Sequence, residues 1–183
     1  MSLRRMLLGL LVTGFFTVAS AADKQVTLEG GDTLTMRWGA DWVVGDTPPQ
    51  SPFGTLTIHG ADAAQWRLTL APLPPHPTLT GDVGNLRIYV RNMSRGLENG
   101  GVDVDQEQKS LEGNAARGFY FKARDVRPKT KAQIKAVGGD YTDTYTGALS
   151  INSRAYLFEV VWTKGGETAA NAALAALKTV RIQ

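Results

Sequence analysis

The chain has 183 residues with 20 basic and 17 acidic side chains, two histidines, no cysteine and a formal net charge of +3. Without a thiol there is no disulfide, thiolate metal site, cysteine nucleophile or haem attachment, so hydrophobic burial must hold the fold. Arg4 and Arg5 belong to a leader that contains no acid, and without them the charge is too nearly balanced for a general nucleic-acid binder.

That leader is residues 1–22. A basic start is followed by an apolar run from Met6 to Val18 and by the small residues Ala19-Ser20-Ala21-Ala22, the layout of a secretory signal peptide cleaved near Ala21 or Ala22. The apolar run falls short of the roughly 20 residues a membrane helix needs, so no stable membrane insertion is expected after cleavage. An uncleaved anchor is the alternative. The strength of the apolar run favours general secretion over a twin-arginine route, and the lack of cysteine excludes a lipid attachment site. The expected location is periplasmic or secreted. Residues 23–183 suit one domain with a substantial core.

Strands dominate the first part of that domain. In DTLTMRWGADWVVGD, Leu34, Met36 and Trp38 alternate with polar residues, Gly39 interrupts, and Trp42, Val43 and Val44 resume. TPPQSP then forces a loop. TLTIHG (55–60) and AQWRLTLAPL (64–73) form a strand pair with Trp66, Leu68 and Leu70 on one face, ended by PLPPHP. Over 80–101 the residues Val83, Leu86, Val90, Met93 and Leu97 keep a three-and-four spacing that predicts a helix, capped by Asp82 and closed by Gly100-Gly101.

Segments 102–113 and 116–125 read as strands joined at Glu112-Gly113-Asn114. From Arg124 to Lys135 the chain is basic and proline-interrupted, which predicts a loop or frayed edge. YTDTYTGAL (141–149) and AYLFEVVW (155–162) form a hairpin around Asn152 and Ser153. ETAANAALAALKTV closes the chain as a helix packed through Leu174, Leu177 and its alanines. Strand pairs with two intervening helices and no regular βα alternation predict an α+β domain with an antiparallel sheet covered by helices.

Taken in order, ADWVVGD, the mid-chain helix, GFYFKARD, DTYTGAL, YLFEVVW and AALAALKTV resemble the PsbP-like family. That family includes extrinsic proteins of the photosystem II oxygen-evolving complex, a Ran-binding nuclear-import factor and bacterial exported proteins. The resemblance is one of architecture over nearly the whole of residues 23–183. It implies a single domain with an antiparallel sheet sandwiched between helices (α/β/α), and a non-catalytic binding or assembly module as a bacterial exported member. No plastid targeting features accompany it, so a photosynthetic role is not implied.

No catalytic motif stands out. His59 ends a strand and His76 lies among prolines, and neither belongs to a GxSxG elbow or an HExxH pair. Asp103, Asp105 and Glu107 alternate, but the EF-hand frame fails, with Gln108 where glycine is needed and Asn114 where glutamate is needed. They read as the solvated face of a strand whose Val102 and Val104 turn inward. Asn92-Met93-Ser94 matches a glycosylation sequon but places Met93 in the buried stripe. Tyr145, Tyr156, Phe158 and Trp162 read as core, and Asp143 and Glu159 as isolated acids.

Two basic groups are the candidate binding residues. Arg87, Arg91 and Arg95 recur every four residues along the predicted helix, a ridge suited to carboxylate or phosphate groups on a partner. Lys122, Arg124, Arg127, Lys129 and Lys131, with Lys135, form the densest run of charge, just after Phe119, Tyr120 and Phe121. Both point to a protein or an anionic envelope component as partner, not nucleic acid, with the oligomeric state open. No cofactor is expected. An enzyme whose groups converge only in three dimensions and a small-ligand carrier are the alternatives.

Overall fold

The computed structural model describes residues 22–28, 31–46, 55–74 and 81–183. The leader up to residue 21, the TPPQSP loop and His76 lie outside the described residues. In chain order the strands are β1 (Ala22–Thr27), β2 (Thr33–Trp38), β3 (Val43–Val44), β4 (Leu56–His59) and β5 (Trp66–Pro72), followed by helix α1 (Val83–Asn99). Then come β6 (Asp103–Val104), β7 (Lys109–Glu112), β8 (Ala116–Arg124), helix α2 (Lys131–Val137), β9 (Asp143–Ile151), β10 (Arg154–Trp162), helix α3 (Glu167–Leu177) and β11 (Arg181–Ile182).

The larger sheet runs β3-β4-β5-β10-β9-β8-β6, with β7 also paired to β8, and every pairing in it is antiparallel. Its two faces are set by strand alternation. On β10, Tyr156, Phe158, Val160 and Trp162 face a core completed by Leu68 and Leu70 of β5 and by Ala170, Ala173, Leu174 and Leu177 of α3. On the opposite face Phe121, Ala123, Ala148 and Ala155 form a second, smaller core with Leu86 and Val90 of α1. Small alanines on the sheet let the helix lie close. Helices therefore cover both faces of an antiparallel sheet, the α+β sandwich expected from the sequence.

Helix α1 begins as read: the Asp82 carboxylate accepts from the Asn85 amide at 3.0 Å, capping an otherwise unmet N–H. The β9–β10 hairpin also closes as read. Asn152 and Ser153 both take positive φ, 49° and 63°, the backbone that a two-residue turn needs to match strand twist. At the centre of this sheet Gly147 faces Tyr120 on one neighbouring strand and Phe158 on the other, whose rings lie 6.4 Å apart. A Cβ at Gly147 would stand 2.7 Å from each of these side chains.

Three features depart from the sequence expectation. Segment 102–113 is not one strand: it bends at Asp105, whose carboxylate accepts from the Glu107 amide at 3.1 Å, and so gives the two short strands β6 and β7. Segment 124–135 is not all loop, because its second half is α2. Its start is a reciprocal cap, in which the Thr130 hydroxyl accepts from the Gln133 amide at 3.2 Å and the Gln133 side chain accepts from the Thr130 amide at 2.8 Å. Gly138 closes it in the left-handed region at φ 76°. Finally, β1, β2 and the terminal β11 make a separate three-stranded sheet, whose Leu34, Met36 and Trp38 join the core under α3.

Candidate functional site

The two basic groups read from the sequence have different fates. On α1 the buried stripe is Leu86, Val90 and Ser94, which leaves Arg87, Arg91 and Arg95 exposed. Among the described residues none of the three forms an ion pair. The Arg87 guanidinium lies 5.6 Å over the Phe119 ring of β8. Beside these arginines Ile88 is 57% exposed, one of the few large apolar side chains turned outward.

The second group is largely engaged within the molecule. Lys122 donates to Glu167 of α3 at 2.7 Å and lies 5.5 Å over the Trp162 ring, and the Glu167 contact raises its pKa. Arg124 donates to the buried Asp143 at 2.8 Å, and the Thr142 hydroxyl takes the other oxygen of that carboxylate. Asp143 is thus a paired acid rather than an isolated one. Arg127 grips Asp125 through both carboxylate oxygens at 2.7 Å, and its guanidinium holds the Asp125 carboxyl down at about 2. It also donates to the Gly100 carbonyl at the end of α1. Lys129 donates to the Tyr141 carbonyl at 2.7 Å and lies 3.7 Å from Asp140. Lys131 alone of the five candidates here stands exposed and outside any ion pair among the described residues, at the start of α2. These cations mainly tie the 122–131 segment to α1, α3 and β9.

A recess of mixed lining that the sequence reading did not single out lies between the ends of α1 and α2, with a volume of about 230 Å³. Its floor is sheet: Arg67 of β5 sits opposite Val161 of β10, which sits opposite Thr144 of β9, with Glu159 one rung pair along on the same face. Arg67 is 7% exposed. It donates to the Val137 carbonyl of α2 and lies 5.1 Å over the Tyr141 ring, whose hydroxyl donates to Ala63 at 2.6 Å. Its Nε is buried without an acceptor among the described residues. Burial pushes the Glu159 carboxyl above the usual carboxylate range, and the nearby Arg67 offsets this only in part. Burial likewise raises the Tyr141 phenol.

Arg67 escaped detection for a physical reason. It occupies the polar phase of WRLTLAP, the face opposite Trp66, Leu68 and Leu70, where a cation reads as solvent-exposed. What buries it is α2, and the available signal for α2 was the Thr130-x-x-Gln133 spacing that marks a capping box. His59 ends β4 as expected and its Nδ1 lies 2.6 Å from its neighbour's carbonyl at Gly60. The acidic residues Asp103, Asp105 and Glu107 are exposed, with Val102 and Val104 buried between them.

No family model matches the sequence, and no curated protein matches it. Solved structures do. The cyanobacterial PsbP (CyanoP) of Synechocystis sp. PCC 6803 superposes with a TM-score of 0.55 at 8% identity, covering 91% of this chain and 96% of that one. The Ran-binding protein Mog1p of Saccharomyces cerevisiae gives 0.50 at 11% identity over 89% of this chain and 96% of that one. A protein from Bacteroides thetaiotaomicron VPI-5482 gives 0.51 at 11% identity, with 82% of this chain spanning only 45% of the other. Identities this low speak to architecture alone: the chain has the PsbP-like fold.

Proposed function

We propose that the protein works by binding rather than by chemistry, as an exported assembly module whose outward α1 face docks on an acidic protein or other anionic component of the cell envelope. The observation that carries this reading is the composition of that face: Ile88, 57% exposed, stands among Arg87, Arg91 and Arg95, none of which has an ion-pair partner among the described residues. An exposed apolar side chain flanked along one side by arginines offers a partner both contact and charge, and unpaired cations steer an anionic partner. The description of Mog1p as a Ran-binding protein supports a docking role for the fold. Export rests on the leader, whose basic start, apolar run and small-residue zone have the layout of a secretory signal.

Affinity capture from envelope extract tests this. The double substitution Arg91→Glu/Arg95→Glu is expected to reduce captured partner at least fivefold, and raising the salt is expected to do the same to the wild type. Lys164→Glu, on the exposed turn before α3, is expected to change nothing. Equal capture by all three proteins would refute the reading.

A further inference from the structure

The recess beneath α2 is independent of the α1 ridge. Its charged groups fall into pairs of opposite sign, but one of those pairs is not in contact. Arg127 and Asp125 neutralise one another, Arg124 neutralises Asp143, and Lys129 has Asp140 beside it, which leaves Arg67 and Glu159. Those two form no ion pair with each other, and Glu159 is biased toward its neutral form by burial. One buried guanidinium is therefore left without a counter-charge in contact with it. Buried cations are ordinarily paired, and a buried charged donor without an acceptor is among the more costly defects a fold can carry. Arg67 has both: no ion-pair partner among the described residues and an Nε–H shut away from solvent and acceptors alike.

Part of the wall is apolar, beside the polar side chains of Tyr141, Thr142 and Thr144. Leu97 and Val102 come from the end of α1, Val137 from α2 and Val161 from the sheet. The space, about 230 Å³, is smaller than the sites that hold drug-sized ligands. A buried cation with no counter-charge in contact, at the base of a small recess with an apolar side, favours a compact anion with a hydrocarbon body. A doubly charged phosphate would meet too few donors here, and a neutral alcohol would leave the guanidinium unmatched.

We infer that this recess is a binding site for a small aliphatic monocarboxylate, its carboxylate taken by Arg67 and its tail laid against Val137, Val161 and Leu97. Thr144, with its hydroxyl 3.2 Å from that of Thr146, adds a further hydrogen-bonding group along the floor.

Calorimetric titration of the full chain with pentanoate tests the site, with pentanol, pentylamine and inorganic phosphate as comparison probes. Pentanoate is expected to bind saturably and to raise the thermal midpoint, with each of the other three at least tenfold weaker. Arg67→Met is expected to weaken pentanoate at least tenfold. Because Arg67→Met also removes the bond to the Val137 carbonyl and can unfold the chain, Val137→Trp serves as the second variant: it leaves that carbonyl in place, fills the recess from its rim and is expected to abolish binding. Arg91→Glu/Arg95→Glu is expected to bind pentanoate as the wild type does, which separates this site from the docking face. Absence of saturable binding, equal binding of pentanol or phosphate, or undiminished binding by Val137→Trp would overturn the assignment.

Discussion

Glu159 shows how far a single residue's state depends on what covers it. In YLFEVVW it reads as an isolated acid. In the folded chain it lies at the base of the recess, and desolvation raises its pKa against the pull of Arg67. The native state therefore binds the Glu159 proton more tightly than the unfolded chain does. Its contribution to stability is greatest in acid, falls as pH rises from the ordinary carboxylate range through the raised native value, and is flat above it. Glu159→Gln removes this titration. The variant is expected to match the wild type in thermal midpoint at low pH and to exceed it increasingly toward neutrality, by thermal unfolding across pH. A constant offset at every pH would show that Glu159 does not titrate differently on folding. Asp143 teaches the converse: also read as isolated, it is paired by Arg124 across the β8–β9 register, a relation that only the strand pairing reveals.

Elements were legible in proportion to the length and clarity of their pattern. Helix α1 has four turns of apolar spacing with a capping aspartate, and the β9–β10 hairpin has alternation on both arms around two turn residues; both stand where the sequence puts them. Helix α2 has only seven residues and none of them is buried, so no apolar stripe announces it. Its stability rests on its ends, on the Thr130–Gln133 cap and Gly138, and on the Arg67 bond to its last carbonyl. Thr130→Ala is expected to cost about 1 kcal/mol, felt mainly in α2. Amide hydrogen exchange should show it as faster exchange at Ile134 and Gly138, whose N–H groups bond within the helix, with little change in the β9–β10 core. Unchanged exchange at Ile134 would mean that tertiary packing, not the cap, holds the helix.

At the scale of the whole molecule, the alternation of Leu34, Met36 and Trp38 predicted a half-buried strand; those three are buried, but so is Thr35 between them, and the pattern could not say which sheet would receive the strand. The answer depends on β11, two residues at the far end of the chain with no pattern of their own, and such a pairing is invisible to local periodicity. The layering has a functional consequence. With α3 and the small sheet covering one face of the large sheet, and α1 packed on the other through Leu86 and Val90, the outward surface of α1 is left to carry Ile88 and its arginines. Much of the charge run from Lys122 to Lys129 was legible as basic but not as internally paired, because its acidic partners at 143 and 167 are distant in sequence. The most direct measurement is photo-crosslinking in intact cells with a photoreactive amino acid in place of Ile88, and a control in place of Val43, which is 47% exposed on the edge strand β3. A discrete partner adduct from position 88, lost when Arg91 and Arg95 are reversed and not formed from position 43, is the expected result. Position 88 giving no adduct, or the same adducts as position 43, would contradict docking through this helix.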